Sequence, residues 1–418
     1  MIEEIQKRPF IRPLLFWITG VLLYTFLPNL NVTVTAFSLI LSSAFLLLFF
    51  RHKSASFDKR WCWGVFIAFF IIALSILMSA YKEKAIADEH EYQEKITLIR
   101  QGFMDNIDRL DLSSSGKKVL NMMLVGGNES LDRKTRTQFS VTGVTHILSV
   151  SGFHVAVVCG FLSLLLKPLP STIIFKWTKY VLMISLLWGF TFISGLAPPS
   201  VRAAIMLSFF LTGNILGRMT DGYNTLAASA FCMLVYNPFY IFDIGFQLSY
   251  IAVLFILLLQ PLFSGMLEIK NPLLATPYNW ITISIAAQIG TAFLCLYYFS
   301  QFPVLFLFAN LPFSLVCTIL IPLGLVYILL PPDFILSDIL GLCTQKMIVF
   351  LLYIVESFSS YSWATFIFPF DFFDLLLGYS FLAMIILFCY KKNPRNLFLS
   401  LSFASAILIK TLIEKVFS

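Results

Sequence analysis

The sequence predicts an all-α, polytopic membrane protein of about 12–13 transmembrane helices, with short or broken helices in its core. Three observations carry this prediction. Hydrophobic residues make up 59% of the chain and charged residues only 12%, about half the ~25% charge of an ordinary soluble protein. Apolar windows of roughly 17–25 residues, long enough to cross a ~30 Å hydrocarbon core, recur from end to end. The short alternating segments of a β-barrel are missing.

Lys7, Arg8 and Arg12 precede the first window, 14–30, which runs on without a small-residue cleavage site and reads as a retained anchor. Windows 33–50 and 61–80 complete an N-terminal group over residues 1–80. Segment 81–142 follows, with charges of both signs. Ile96, Ile99, Phe103, Ile107 and Leu110 recur there at three- or four-residue spacing, the mark of an amphipathic helix lying on the membrane face or on the bundle. A second apolar cluster, VLNMML at 119–124, ends at Gly126-Gly127. A core over 143–331 holds windows 143–166, 173–194, 200–217, 223–237, 241–261, 279–300 and 303–330. The fourth of these is short. The last contains Pro312 and Pro322, so a break in that helix stays open. Windows 341–360, 371–390 and 396–416 form a C-terminal group over 332–418.

Lysine and arginine set the orientation. With a cytoplasmic N-terminus, the cytoplasmic loops hold Arg51, Lys53, Lys59, Arg60, Lys167, Lys176, Lys179, Arg218, Lys270, Lys391, Lys392 and Arg395. The short external loops near 31, 196, 239, 301 and 365 hold none, as the positive-inside rule requires. Segment 81–142 then lies outside. So does the C-terminus, against the presence of Lys410 and Lys415.

Several chemistries are set aside. The seven cysteines stand singly, without ligand or disulfide spacing, and no metal site or cofactor is expected. Gly116-Lys117-Lys118 lacks the upstream glycine and following Ser/Thr of a phosphate-binding loop, so no ATP hydrolysis is expected of this chain.

Three polar stretches interrupt the apolar pattern. THILSVSGFHV, 145–155, places Thr145, His146, Ser149, Ser151, Gly152 and His154 inside a window. On a helix, Ser151 and His154 are neighbours at i, i+3, and Thr145, Ser149 and Gly152 form an adjacent stripe. Lipid offers such groups no partner, so they serve either as glue between helices or as the lining of a wet cavity. They are not a serine nucleophile elbow. Ser149 occupies the first glycine's place in G-x-S-x-G, Gly152 comes one position early, and no acid stands by.

SGLAPPSVRAAIM, 194–206, ends one span at Gly195, breaks at Pro198-Pro199 and offers Ser200 as the cap of the next helix, with Arg202 in its first turn. Arginine at membrane depth costs ~2.5–3.5 kcal/mol. Either an ion pair with Asp243 or an anion held at the helix N-terminus offsets that cost, and the two are compatible. The third stretch, DIGFQLSYIAV from 243, carries Gln247 and Ser249. It aligns without a gap on SGFHVAVV from 151, setting Gln247 on His154, so an internal repeat stays open.

Taken in order, VTGVTHILSVSGFHV, SGLAPPSVRAAIM, LGRMTDGYNTLAASAFCMLVYNPFYIFDIGFQLSYIAV and NLPFSLVCTILIPLGL resemble the membrane competence domain of ComEC-type proteins, over about residues 118–390. Those proteins bring DNA into bacteria during natural transformation. The resemblance implies a multi-pass channel in the bacterial inner (cytoplasmic) membrane that passes single-stranded DNA into the cytoplasm, without catalytic residues. By similarity, His146, Ser149, Ser151, Gly152, His154, Arg202, Gln247, Ser249, Asn310 and Pro312 line or flank the pore. Two departures stand out. Segment 81–142 is too short and too helical for the OB-fold many relatives carry there. No His/Asp metal cluster marks a metallo-β-lactamase-like nuclease domain. Either separate proteins supply these parts, with a DNA receptor, a nuclease and a cytoplasmic ATPase or translocase as partners, or the sequence is a piece of a longer chain, or it is a divergent member with another job; a homo-oligomer also stays open. The alternative function is a secondary transporter of a small anion, using the Arg202 site.

Overall fold

The computed structural model describes residues 8–27, 32–51, 60–85, 100–127, 131–170, 172–218, 220–267, 269–331, 334–361 and 364–417. A helix lies in each of the predicted windows. They are α1 (Ile11–Phe26), α2 (Val32–Arg51), α3 (Arg60–Ala85), α4 (100–108), α5 (Ser114–Leu124), α6 (Arg133–Val141), α7 (Gly152–Leu165), α8 (Ile173–Ile193), α9 (Pro198–Ile215), α10 (Gly222–Tyr236), α11 (Ile244–Ser264), α12 (Pro272–Phe299), α13 (Phe306–Leu329), α14 (Ile335–Ser359), α15 (Phe372–Lys391) and α16 (Pro394–Phe417). Among the described residues seven helices, α3, α8 and α11 through α15, are long and apolar enough to cross a membrane. The chain is an all-α, multi-pass membrane protein.

Three apolar cores organise it. The largest joins α4, α5, α7, α13 and α14, through Ile107, Leu120, Met123, Val155, Phe313, Leu320 and Leu351. The amphipathic pattern around 103–110 thus faces the bundle, while Ile96 and Ile99 lie outside the described residues. Two hydrogen bonds hold α4 to α13: Asn106 Nδ2 donates to the Ile328 carbonyl at 3.1 Å, and Tyr327 Oη donates to the Asn106 carbonyl at 2.8 Å. A second core sets α1 against α10 and α11 around Trp17. The Trp17 indole donates to the Leu234 carbonyl, and the Trp17 carbonyl accepts from Ser75 of α3. The third core joins α11, α12 and α15.

Two windows differ from expectation. Residues 143–166 are not one helix. A 3-10 turn at Thr145–Ile147 gives way to non-helical backbone, and α7 begins only at Gly152. Hydropathy runs through this break, but Ser151 and His154 cap the helix there: the Ser151 side chain and the His154 ring each bond the other's backbone N–H. That reciprocal arrangement satisfies donors otherwise left orphaned at a helix start. Residues 306–329, in contrast, form one continuous helix through Pro312 and Pro322. Prolines are tolerated within membrane helices when neighbours satisfy the freed carbonyls.

At the C-terminal end, α15 and α16 pair as a hairpin. Lys410 of α16 donates to Asp371 at 2.6 Å and to Asp374 at 2.8 Å, both at the start of α15. Its charge is neutralised locally by the two carboxylates.

Candidate functional site

The helix break exposes a polar surface. Thr145, His146, Ser149 and Gly152 are accessible. His154, on α7, is 0% exposed. Its Nδ1 lies 2.9 Å from Ser151 Oγ, and its Nε2 is buried without a hydrogen-bond partner.

Helix α9 begins at Pro198 with prolines at its first two positions, where a missing N–H costs nothing. Ser200 is therefore inside the helix and does not cap it; its hydroxyl bonds the Ala197 carbonyl and lies 3.2 Å from Ser194 Oγ. Arg202 falls just beyond the first turn. It is 2% exposed. Its Nη2 donates to the Gly245 carbonyl at 2.9 Å and to Ser249 Oγ at 2.8 Å, both on α11. Its Nε is buried without a partner.

The expected ion pair of Arg202 with Asp243 is corrected. Among the described residues the two form no salt bridge. Asp243 caps α11 by accepting from the Phe246 N–H at 2.7 Å, a use that draws its carboxylate to the positive end of the helix. It still lies close to the guanidinium, since both approach within 4 Å of one point above Gly245.

The N-terminal turns of three helices meet here. A Cβ on Gly152 of α7 would lie 3.6 Å from Ala203 of α9, and the next residue back, Arg202, reaches the first turns of α11. Gln247 on α11 is held on both ends, donating to the Ile241 carbonyl at 3.0 Å and accepting from Tyr298 Oη at 2.9 Å. Tyr298 gave no signal in the sequence beyond being one tyrosine in an apolar window. Asn310 and Pro312 sit on α13, which packs against α7. The Asn310 Oδ1 is buried without a partner, so no hydrogen bond joins it to the histidine or arginine groups. As in the aligned stretches, α7 and α11 each follow a 3-10 turn, at 145–147 and Pro238–Phe242, and each starts at a polar cap, Ser151 or Asp243.

Chemically, the positive dipole ends of three helices meet beside a buried guanidinium at a polar recess, with Asp243 capping one of them and the first-turn N–H groups of α9 already bonded to the Ala197 carbonyl. Such a place favours an anion.

Fold and site together define a multi-pass membrane protein with a polar recess built at broken helices. Its sequence matches the family described as "Competence protein" over residues 123–393, more than half of the chain, and the chain belongs to that family. It is 25% identical over 235 residues to ComE operon protein 3 of Bacillus subtilis (strain 168), a match covering 55% of this chain and 29% of that protein. It is 28% identical over 163 residues to an uncharacterized protein of Aquifex aeolicus (strain VF5), covering 39% of this chain and 36% of that one. The chain thus matches about a third of the length of these curated relatives. No solved structure matches it.

Proposed function

We propose that this chain forms the inner-membrane passage through which a single strand of DNA reaches the cytoplasm during natural transformation. One observation supports it above the rest: exposed Ser149 and half-buried Ser151, on non-helical backbone, stand where the N-termini of three helices meet beside Arg202. Irregular backbone at membrane depth is tolerated only where protein covers it or water reaches it. A phosphodiester strand needs a wet and locally positive path, but a path that binds too tightly cannot conduct. A single arginine, already tied to Gly245 and Ser249, meets both demands.

In this reading His146, Ser149, Ser151, Gly152 and His154 line one wall of the passage. Arg202, Gln247 and Ser249 line the facing wall, with Asn310 and Pro312 behind the first. The N-terminus is cytoplasmic and segment 81–142 external. The strand is driven by an ATPase or translocase, and delivered by a DNA receptor and a nuclease. No residue here performs covalent chemistry.

The buried, unpartnered Arg202 Nε also suits a single small anion held in a carrier. One experiment decides between the two. In a chain with its native cysteines replaced, Ser149→Cys provides a thiol facing the recess, and Leu186→Cys provides one on an exposed apolar face of α8. During uptake, a strand bearing thiol-reactive groups cross-links at the first position and not at the second. Uptake without cross-linking at the first position would overturn the passage and leave the carrier.

A further inference from the structure

Far from the polar recess in sequence, two short segments pair as antiparallel strands, β1 (Gln301–Pro303) and β2 (Thr365–Ile367), with Phe302 opposite Phe366. Alternate residues of an extended segment share a face. In FIFPF, 366–370, that rule puts Phe366, Phe368 and Phe370 on one side. These rings line an entirely apolar cavity of about 470 Å³ with Phe293 and Phe302. Phe366 and Phe368 stack at 6.2 Å and 18°, and Phe293 and Phe370 at 5.7 Å and 14°. Phe366 is 59% exposed.

Lipid is a poor explanation for this surface. A two-stranded ribbon has two open edges whose N–H and C=O groups need water, so it belongs at the aqueous boundary and not in hydrocarbon. At that boundary membrane proteins use Trp and Tyr, whose polar atoms face the water. Five phenylalanines have no such atom. Stacked and partly open, they match a flat apolar ring better than an acyl chain.

The surroundings carry charge of the right sign. The Ser140 hydroxyl, at the end of α6, donates to Gln301 Oε1 at 3.1 Å. Arg133, Lys134 and Arg136 stand exposed at the other end of α6. Lys134 pairs with Glu356, whereas Arg133 and Arg136 form no ion pair among the described residues. Arg136 lies four helical steps, about 6 Å of rise, from Ser140. The strand pair also adjoins the recess. A Cβ on Gly143 would lie 2.7 Å from Pro303, and Thr145 follows two residues later.

We propose that the strand pair is a stacking platform for the unpaired bases of single-stranded DNA at the mouth of the passage. Phe366 and Phe368 hold bases, and Arg133 and Arg136 hold the neighbouring phosphates. The proposal rests on reading the chain as a DNA passage and adds to it the place where bases are gripped without regard to sequence.

The test is equilibrium binding of a short oligothymidylate, and of an abasic strand of equal length, to the full chain in nanodiscs of phosphatidylcholine. The base-bearing strand binds about ten-fold tighter, as aromatic stacking of one or two bases requires. Phe366→Leu with Phe368→Leu, still apolar, abolishes that preference, whereas Phe366→Trp keeps it. Arg136→Gln weakens both strands alike and flattens the salt dependence. Equal binding of the two strands by the unaltered chain, or no binding, overturns the proposal without recourse to any variant. So does a leucine variant that keeps the preference. A leucine variant that alters only membrane insertion would make the strand pair a lipid anchor. Cross-linking through Ser149→Cys reads transit and not stacking, so the passage and the platform can fail separately.

Discussion

Replacing Arg202 with alanine separates a structural tie from a functional charge. The guanidinium makes two hydrogen bonds to α11, at 2.9 Å and 2.8 Å. Bonds from a charged group contribute ~1.5–3 kcal/mol each, or ~3–6 kcal/mol together. The same side chain carries the ~2.5–3.5 kcal/mol cost of arginine at membrane depth, which vanishes with it. The difference is a net loss of ~0–3 kcal/mol, so the Arg202→Ala protein is expected to insert and accumulate at near-normal levels. The Gly245 carbonyl lies within the first turn of α11, where its helical partner remains, and is not orphaned. Passage of each phosphate loses one charged contact, slowing uptake roughly ten- to one-hundred-fold. Arg202→Lys keeps the charge but not the planar fork, and falls between. The assay is transformation frequency divided by membrane abundance from an immunoblot. Normal uptake at normal abundance would refute the reasoning. So would complete disappearance of the protein, because the tie would then be worth far more than these bonds allow.

Three further outcomes follow from the packing. Gly126 has φ 71°, and a Cβ there would sit 2.3 Å from the Ser194 carbonyl oxygen; Gly126→Ala is expected to cost about 2–5 kcal/mol, read as lost thermal stability in detergent. Lys410→Met leaves Asp374, which is nearly fully buried, without its cation and costs up to ~3–5 kcal/mol. Adding Asp371→Asn and Asp374→Asn recovers most of that loss in the same melt. Asp132 caps α6, and the Thr135 N–H, then the Ser115 hydroxyl and the Thr135 hydroxyl, hold its carboxyl down at about 2. Its folded value is below the unfolded ~3.9, so its contribution is full above about pH 4 and is lost as pH falls through about 2. Hydrogen exchange over 114–141 should rise across that window, and Asp132→Asn, which also caps, should remove the dependence.

Helix positions were legible because apolar windows of spanning length are separated by short polar or Pro/Gly/Asn-containing turns, several of them carrying lysine or arginine, and because Pro198-Pro199 and Gly195 mark a boundary by backbone geometry alone. The start of α7 was not. Leu148 and Val150 are as apolar and buried as any helical residue, so hydropathy hides a break that only the Ser151–His154 capping pair reveals. Asp243 illustrates the opposite error. A carboxylate near an arginine suggests a salt bridge, but the same residue three positions before Phe246 is a helix cap, and local geometry prevailed. Gly245 reaches Arg202 through its carbonyl, a group every residue has, and so left no trace in the sequence. The strand pair escaped notice because each strand is three residues long and more than sixty residues separate them.

Helix α7 has 14 residues, so it spans about 21 Å of a hydrocarbon core of ~30 Å. If water fills the recess above it, the membrane voltage falls across only the remaining dry layer. The electric field there is about 1.4 times what a full-length helix would experience. A polyanion at that point would feel the cell's polarisation, ~2.3 kcal/mol per charge for each 100 mV, concentrated into just under four turns of helix. With the cell interior negative, that gradient pushes a strand back toward the outside. The shorter the dry layer, the fewer phosphates a motor must hold against the field at any moment.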